Sequence, residues 1–570
     1  MVAKSKDLRP QLWVNARIWN PAGEVHQALC IQGEKILALG SEAAMRQFCS
    51  AFSQGFDTLD QGGAFVYPGF RDPHAHLLYL GLATYQADLN NCSGPEEVVE
   101  RLREFAERAE KETATSAAAQ RTLRQAGRAP GQVSDWLIGR DWNDSAWPTD
   151  ASLDRWFLDA AFPDRPVYLS RVDRHAAVVN SEALRRAGLE RARPVPGGQI
   201  AERNGHPTGL LVDEAMNLVR RHIPEPGPGH EREALLRAQD LCFAEGLVGV
   251  ADMGLSLPQY NVLIAAQNEG ALKMPIYGTL TPDAETEAHF RREGPLFSER
   301  LTLRTFKYYA DGALGSRGAR LLEPYADSPA SQGLWMHPPD YLHAQARLNA
   351  DQGFQTVTHA IGDAAVRLVL DVVERAAPPA DHRWRVEHAQ IVHPNDLPRF
   401  TRLGAWASIQ ACHGVSDRTM AGFRLGTDRL SHAYRARTLL DAGARLVNGT
   451  DFPIEPVSPL RSFAAACLRA EREAFLPGEG PLALPAAARQ TQPFRPEEAL
   501  TRKEALLAMT AWTAEAQFQE GECGRLEAGQ YADLTVLDTD LMTASPEALA
   551  GARVLRTVVR GEQVYSAGRP

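Results

Sequence analysis

The chain has 570 residues, of which 44 % are hydrophobic and 23 % charged, and its formal net charge is −10. That length exceeds one ordinary domain and suits a large catalytic domain carrying an accessory domain or an insertion. The acidic balance argues against nucleic acid or an anionic membrane as partner, and no apolar run is long enough to span a bilayer. The seven cysteines form no C-x-x-C pair, so neither a disulfide framework nor a cysteine–zinc cluster is indicated, and free thiols in a reducing compartment are expected. The stretch MVAKSKDLRPQLW lacks the apolar core and cleavage site of a signal peptide, so a cytoplasmic protein is expected.

Residues 12–20 (LWVNARIWN) alternate, and 28–40 (ALCIQGEKILALG) continue the alternation through a Gly-centred turn, as strands do. ADLTVLD (532–538) and VLRTVVRGEQVY (554–565) read the same way near the other end. Strands at both ends predict one small β domain in which the termini meet, residues 1–66 with 519–570. Residues 95–125 are charged, Ala-rich and helical. Residues 136–220 are irregular and rich in Trp, Pro and Gly, so the stretch from about 85 to 230 reads as a large insertion. From Gly246 onward, strand-like runs alternate with helical ones: GLVGVADM then 257–268, LTLRTFKYYA, 341–351 then FQTVTH, 363–376 then RWRVEH, 394–402 then WASIQ, 433–442 then RLVNGTD. This βα repeat marks a parallel sheet covered by helices, open or closed. No G-x-G-x-x-G follows the first strand, so a dinucleotide-binding version lacks support. Residues 476–496 are Pro- and Ala-rich and are expected to form an exposed excursion.

The chemistry concentrates at strand ends. VYPGFRDPHAH (66–76) is an apolar run closing on H-x-H, and in an extended segment residues two apart point the same way, so His74 and His76 can aim at one point. Lys307 ends LTLRTFK, His359 ends FQTVTH, His388 ends RWRVEH and Asp451 ends RLVNGTD. Taken singly, these read as core histidines, a solvent-facing lysine and a helix cap. Taken together they occupy equivalent positions, at the strand ends where βα-barrels collect their catalytic groups. Imidazole and carboxylate without thiolate favour zinc, or manganese, iron or cobalt. An ammonium cannot ligate a cation, but the carbamate formed when CO₂ adds to a lysine amine can bridge two. Glu387 alternates with His388 and so points away from it, and it is not assigned as the catalytic acid.

PGFRDPHAH (68–76), DWNDSAW (141–147), RPVYLSRVDRHAAVVNSEAL (165–184), KYYADGALGSRGA (307–319), THAIGD (358–363), VEHAQ (386–390), SIQACH (408–413), GTDFPIEPVSPL (449–460) and GRLEAGQYADLTVLD (524–538) follow one another along nearly the whole chain. In this order they resemble the amidohydrolase superfamily, in particular its amidohydrolase-3 or YtcJ-like branch, which includes N-substituted formamide deformylases. The resemblance implies an α/β fold: a distorted (β/α)₈ TIM barrel over residues 67–518, with a small β-sandwich from both termini. It implies that His74 and His76 bind one metal, that His359 and His388 bind a second, and that carboxylated Lys307 bridges them. Asp451 would ligate the first metal and serve as general base and acid. The expected cofactor is a divalent metal, zinc before others, one or two per chain. His175 would polarise a carbonyl, and Arg174, standing where the branch has Gly, would bind an anionic or carbonyl group. Asp311, Arg317, Trp142 and His413 are further substrate-side candidates. Arg71 and Pro73 depart from the small and apolar residues expected before the H-x-H pair.

The expected activity is hydrolysis of a non-peptide carbon–nitrogen bond, in an amide or N-substituted formamide, by attack of metal-bound hydroxide. Hydrolytic deamination of a ring is the alternative, disfavoured because AIGDAAV after His359 offers Asp363 but no glutamate. A non-catalytic metal-bearing scaffold is the remaining one. The expected partner is a small-molecule amide, without nucleic acid or membrane, and a homodimer is left open.

Overall fold

The computed structural model describes residues 9–568 except 22, 24, 91, 116–135, 143, 145–146, 148–151, 173–175, 196–197, 225–226, 377 and 476–491. Two compact units divide the chain: residues 1–77 with 236–570, and residues 78–235.

The first unit contains eight parallel strands in chain order around one sheet: β1 (Phe70–Ala75), β2 (Leu247–Leu255), β3 (Ile276–Leu280), β4 (Leu301–Tyr309), β5 (Gln355–Ala360), β6 (Arg385–His388), β7 (Trp406–Ile409) and β8 (Arg445–Asn448). This is the expected (β/α)₈ barrel. Its strands are buried on both faces, which is why they read as continuous apolar runs rather than alternating ones. β3 is the strand that sequence reading passed over. IYGTL is short, carries Gly278 in its middle and ends in no ionisable residue, yet every residue in it is buried.

The covering helices follow from capping and periodicity. Ser256 and Gln259 form a capping box that starts the helix Leu257–Asn268. In the helix Asp363–Ala376, Val366, Val369, Leu370 and Val373 repeat at helical spacing and are buried, forming the stripe that packs on the sheet.

The barrel closes through a carboxylate. Asp72 on β1 is buried and accepts from the Thr450 hydroxyl at 2.6 Å, the Thr450 amide at 3.2 Å and the His74 amide at 3.0 Å. Two backbone bonds run alongside: Asp451 N donates to His74 O (2.8 Å), and His76 N to Phe452 O (2.9 Å). Gly449 makes this approach feasible, because a Cβ there would lie 2.7 Å from Asp72 Oδ1 and 3.0 Å from His74 N.

Both chain ends build a second layer of the same unit. One sheet runs Glu562–Ser566, Val554–Val559, Leu534–Leu537, Phe65–Pro68, Arg17–Trp19, Val25–His26, and a four-stranded sheet from residues 11–60 faces it. Trp13, Leu29, Ile31 and Ile36 of the one pack with Ile18, Val66, Val536 and Val558 of the other. Thr535 joins this layer to the barrel, donating to Gly246 O (2.7 Å) and accepting from Phe70 N (3.2 Å). The unexpected Arg71 has its reason here: it is buried, donates to Gln519 Oε1 at 2.8 Å, and lies 3.7 Å from Asp533.

The second unit, read from sequence as irregular, holds a six-stranded sheet in the order Gly198–Arg203, His206–Asp213, Ala176–Val179, Val167–Arg171, Leu137–Trp142, Ala87–Asp88. Its strands are short and separated by Trp- and Pro-rich turns, which hid their alternation. The charged helix is Pro95–Thr115, and the rest of that expectation, 116–125, lies outside the described residues. The same holds for 476–491 of the expected excursion.

Asp72→Ala removes three hydrogen bonds to a buried carboxylate and is expected to destabilise the barrel by about 3 kcal/mol, read as a lowered urea midpoint. An unchanged midpoint would show that Asp72 is not the closing latch.

Candidate active site

The latch decides which side chains meet. Asp451 Oδ1 lies 3.5 Å from His74 Nε2 and 3.3 Å from His76 Nε2. Three ligand-capable atoms of His74, His76 and Asp451 sit within 4.8 Å of one another. The other carboxylate oxygen, Oδ2, lies 3.7 Å from His413 Nε2, and His388, His413 and Asp451 form a second such group. His388 stands between the remaining rings, with centroids 4.8 Å from His74, 4.5 Å from His359 and 6.0 Å from the nearly parallel His413. Lys307 is fully buried on β4, its Nζ 5.2 Å from the Tyr309 ring centroid. His388 and Asp451 both hold positive φ, 70° and 61°, which is costly for residues with a side chain and typical of sites where surrounding structure enforces an orientation.

Burial sets the charge states. It pulls His74 down to about 4 and His359 to about 3, with the Lys307 ammonium adding to both, and drives His388 well below the ordinary imidazole value. These rings are therefore neutral near pH 7, the form that ligates a metal. Burial also lowers Lys307, to about 8, against the attraction of Glu387 and Asp451. Burial pushes the Asp451 carboxyl up, but His74 and His76 outweigh it and hold it below the usual carboxylate range.

Glu387, which the sequence reading turned away from His388 and did not assign as catalytic acid, has a role of another kind. It does point away from His388, but into the barrel, where its Oε2 meets His74 Nδ1 at 2.5 Å. Arg385 donates to its other oxygen at 2.8 Å, and both residues are fully buried. A carboxylate on Nδ1 fixes the His74 tautomer and turns Nε2 toward Asp451, as partners of metal-bound histidines do.

The other substrate-side candidates have partners of their own. Asp311 is buried and spends its oxygens on the backbone N–H groups of Ile361 (3.0 Å), Gly362 (2.8 Å) and Arg320 (2.7 Å), stapling the loops after β4 and β5; its Oδ1 lies 3.5 Å from His359 Nε2. Arg317 pairs with Asp327 at 2.9 Å. Trp142 is buried within the second unit, where its indole donates to Leu169 O at 3.1 Å. Arg174 and His175 lie outside the described residues.

Among the described residues, the buried atoms His388 Nδ1, His413 Nε2 and Asp451 Oδ1 have no hydrogen-bond partner, and the convergent atoms are imidazole nitrogens and carboxylate oxygens. That chemistry fits a divalent cation.

Comparison with known proteins agrees. The model of the amidohydrolase family matches residues 57–565. The chain belongs to the amidohydrolase family. This amidohydrolase is 31 % identical over 548 residues to the putative amidohydrolase YtcJ of Bacillus subtilis, spanning 95 % of this chain and 96 % of that one. It is 27 % identical to the N-substituted formamide deformylase of Arthrobacter pascens, covering 97 % of each. Among solved structures it resembles an uncharacterized metal-dependent hydrolase from Pyrococcus furiosus, with TM-score 0.73, 27 % identity, and coverage of 94 % of this chain and 100 % of that one. The family and the donor set together make this amidohydrolase a metal-binding hydrolase. Among the described residues no helix is long and apolar enough to cross a membrane.

The depressed histidines carry a pH dependence. Their folded values lie below the 6.5 of a free imidazole, so the stability conferred by the neutral rings is complete above about pH 6.5 and is lost as pH falls toward the folded values near 4 and 3. Relative to His359→Gln, the metal-stripped protein is expected to lose urea midpoint between about pH 6.5 and 4, because buried carboxylates such as Asp72, raised to about 7, act equally on both proteins. A difference between the two proteins that stays constant across that window contradicts the assignment.

Proposed function

We propose that this chain hydrolyses a non-peptide carbon–nitrogen bond, in an amide or N-substituted formamide, at the site where Asp451 meets His74 and His76. The observation carrying this reading is one buried carboxylate with its two oxygens turned to different histidines, Oδ1 to His74 and His76 and Oδ2 to His413. The likeness to a relative named N-substituted formamide deformylase supports the bond class. Ring deamination is less well supported, because the first acid after His359, Asp363, is engaged by backbone, accepting from Leu322 N (2.8 Å) and Ala364 N (3.0 Å).

In this proposal His74, His76 and Asp451 hold one divalent ion, zinc by ligand type, while His359 and His388 hold a second with Lys307 as its carbamate. Such an ion supplies Lewis-acid polarisation of a carbonyl and lowers the pKa of water near it. The burial that lowers Lys307 to about 8 leaves part of it as free amine near neutral pH, the form that adds CO₂ with release of a proton.

The proton traffic belongs to Asp451. Held below the ordinary carboxylate range, it is ionised and ready to accept a proton as water adds to the acyl carbon. It then delivers that proton to the leaving nitrogen as the C–N bond breaks, giving an acid and an amine. Glu387 keeps His74 fixed throughout by accepting from its Nδ1–H.

Asp451→Asn retains an oxygen donor but no base. It is expected to keep most of its metal while losing turnover of N-formyl and N-acyl amines by about 10²- to 10⁴-fold. Wild-type turnover in this variant contradicts the role of Asp451.

A further inference from the structure

We infer that the cleft at the C-terminal ends of β6 and β7 is an oxyanion subsite, in which Arg469 and Gln410 hold a carboxylate borne by the substrate. The inference rests on the reading of the neighbouring His388 and Asp451 as the reaction centre. It names a substrate class: amides that also carry a free carboxylate, such as N-acyl or N-formyl amino acids.

The cleft is walled by His388, Gln390, Gln410, His413, Tyr434 and Arg469. Arg469 is only 1 % exposed. Its Nε donates to Phe494 O at 3.0 Å and its Nη2 to Tyr434 O at 3.5 Å, but among the described residues no carboxylate lies within 4.0 Å of its guanidinium. A buried cation without a counter-ion is costly, and proteins ordinarily pair it. The negative groups nearby are engaged elsewhere. Asp417 accepts from the Tyr434 hydroxyl (2.8 Å) and from Gln390 (3.2 Å). Glu498 accepts from the Thr438 hydroxyl (2.6 Å) and from Arg495 (3.3 Å).

Gln410 supplies an independent observation. It is 4 % exposed, and among the described residues neither its amide nitrogen nor its amide oxygen has a hydrogen-bond partner. A staple role for Arg469, tying two backbone carbonyls, accounts for the arginine but leaves Gln410 unexplained. A bound oxyanion accounts for both, because it accepts from a guanidinium and an amide N–H together.

Local backbone favours the arrangement. Arg469 follows the helix Pro459–Leu468 in a left-handed conformation, φ 55°, which aims its side chain off the helix axis. His413 connects cleft and centre: it lies parallel to His388 and turns Nε2 to Asp451.

The test uses the metal-loaded full-length protein and N-acetyl derivatives of small, branched and aromatic amino acids, each paired with its neutral carboxamide. Calorimetric binding and kcat/KM are measured for wild type, Arg469→Gln and Gln410→Met. The second variant replaces two unpartnered buried polar atoms by an apolar side chain of similar length, so it is expected to fold even where Arg469→Gln does not. In wild type the carboxylates are expected to bind about 10- to 100-fold more tightly than the carboxamides, and the discrimination is expected to collapse in either variant. Equal binding of the two series by wild type, no binding of the carboxylates, or discrimination that survives Gln410→Met overturns the subsite. Discriminating binding without turnover leaves the subsite standing and counts against hydrolysis. Turnover of both series without preference does the reverse.

Discussion

The site exists because the last barrel strand is latched to the first. Asp72 and Thr450 are 378 residues apart in sequence, yet one buried carboxylate joins them through the Thr450 hydroxyl and amide. Everything catalytic follows from that junction. It places Asp451 beside His74 and His76, and Gly449 lets the two backbones approach closely enough for it to form. Burying a carboxylate is expensive, and burial raises Asp72 to about 7 even with these donors. The barrel thus carries an electrostatic cost at the junction that orients its chemistry.

A second constraint is charge balance inside the barrel. His74, His359 and His388 are pushed toward neutrality by burial and by one lysine, while Asp451 and Glu387 are kept ionised. Glu387 has its own counter-ion in Arg385, so its hold on His74 does not require His74 to be charged. A pocket of neutral imidazoles around one ionised carboxylate is primed for a cation, and the positive φ of His388 and Asp451 shows the backbone bending to aim them.

Much of this was legible in sequence because it obeys local rules. H-x-H in an extended run, and a polar residue at the end of each apolar run, named His74, His76, Lys307, His359, His388 and Asp451, and the structure gathers all six at one end of the barrel. What stayed hidden is non-local. Asp72 and Glu387 look like ordinary strand residues until their partners arrive from the far side of the barrel. Arg469 and Gln410 gain significance only from the partners they lack. Asp311 and Arg317 have residue types suited to binding substrate, but whether a loop carboxylate faces a ligand or its own backbone is decided by folding. β3 escaped because it is brief and its end carries no ionisable group, and the sheet of the second unit because Trp-, Pro- and Gly-rich sequence interrupts its alternation.

We propose that strand ends brought together by the β1–β8 junction hold the metal. Anomalous diffraction at the metal edge of reconstituted crystals tests it most directly. The account predicts a peak about 2.0–2.2 Å from nitrogens of His74 and His76 and an oxygen of Asp451, with a second peak near His359 and His388 if Lys307 carries a carbamate. A metal bound elsewhere, with no peak at His74, His76 and Asp451, would contradict it.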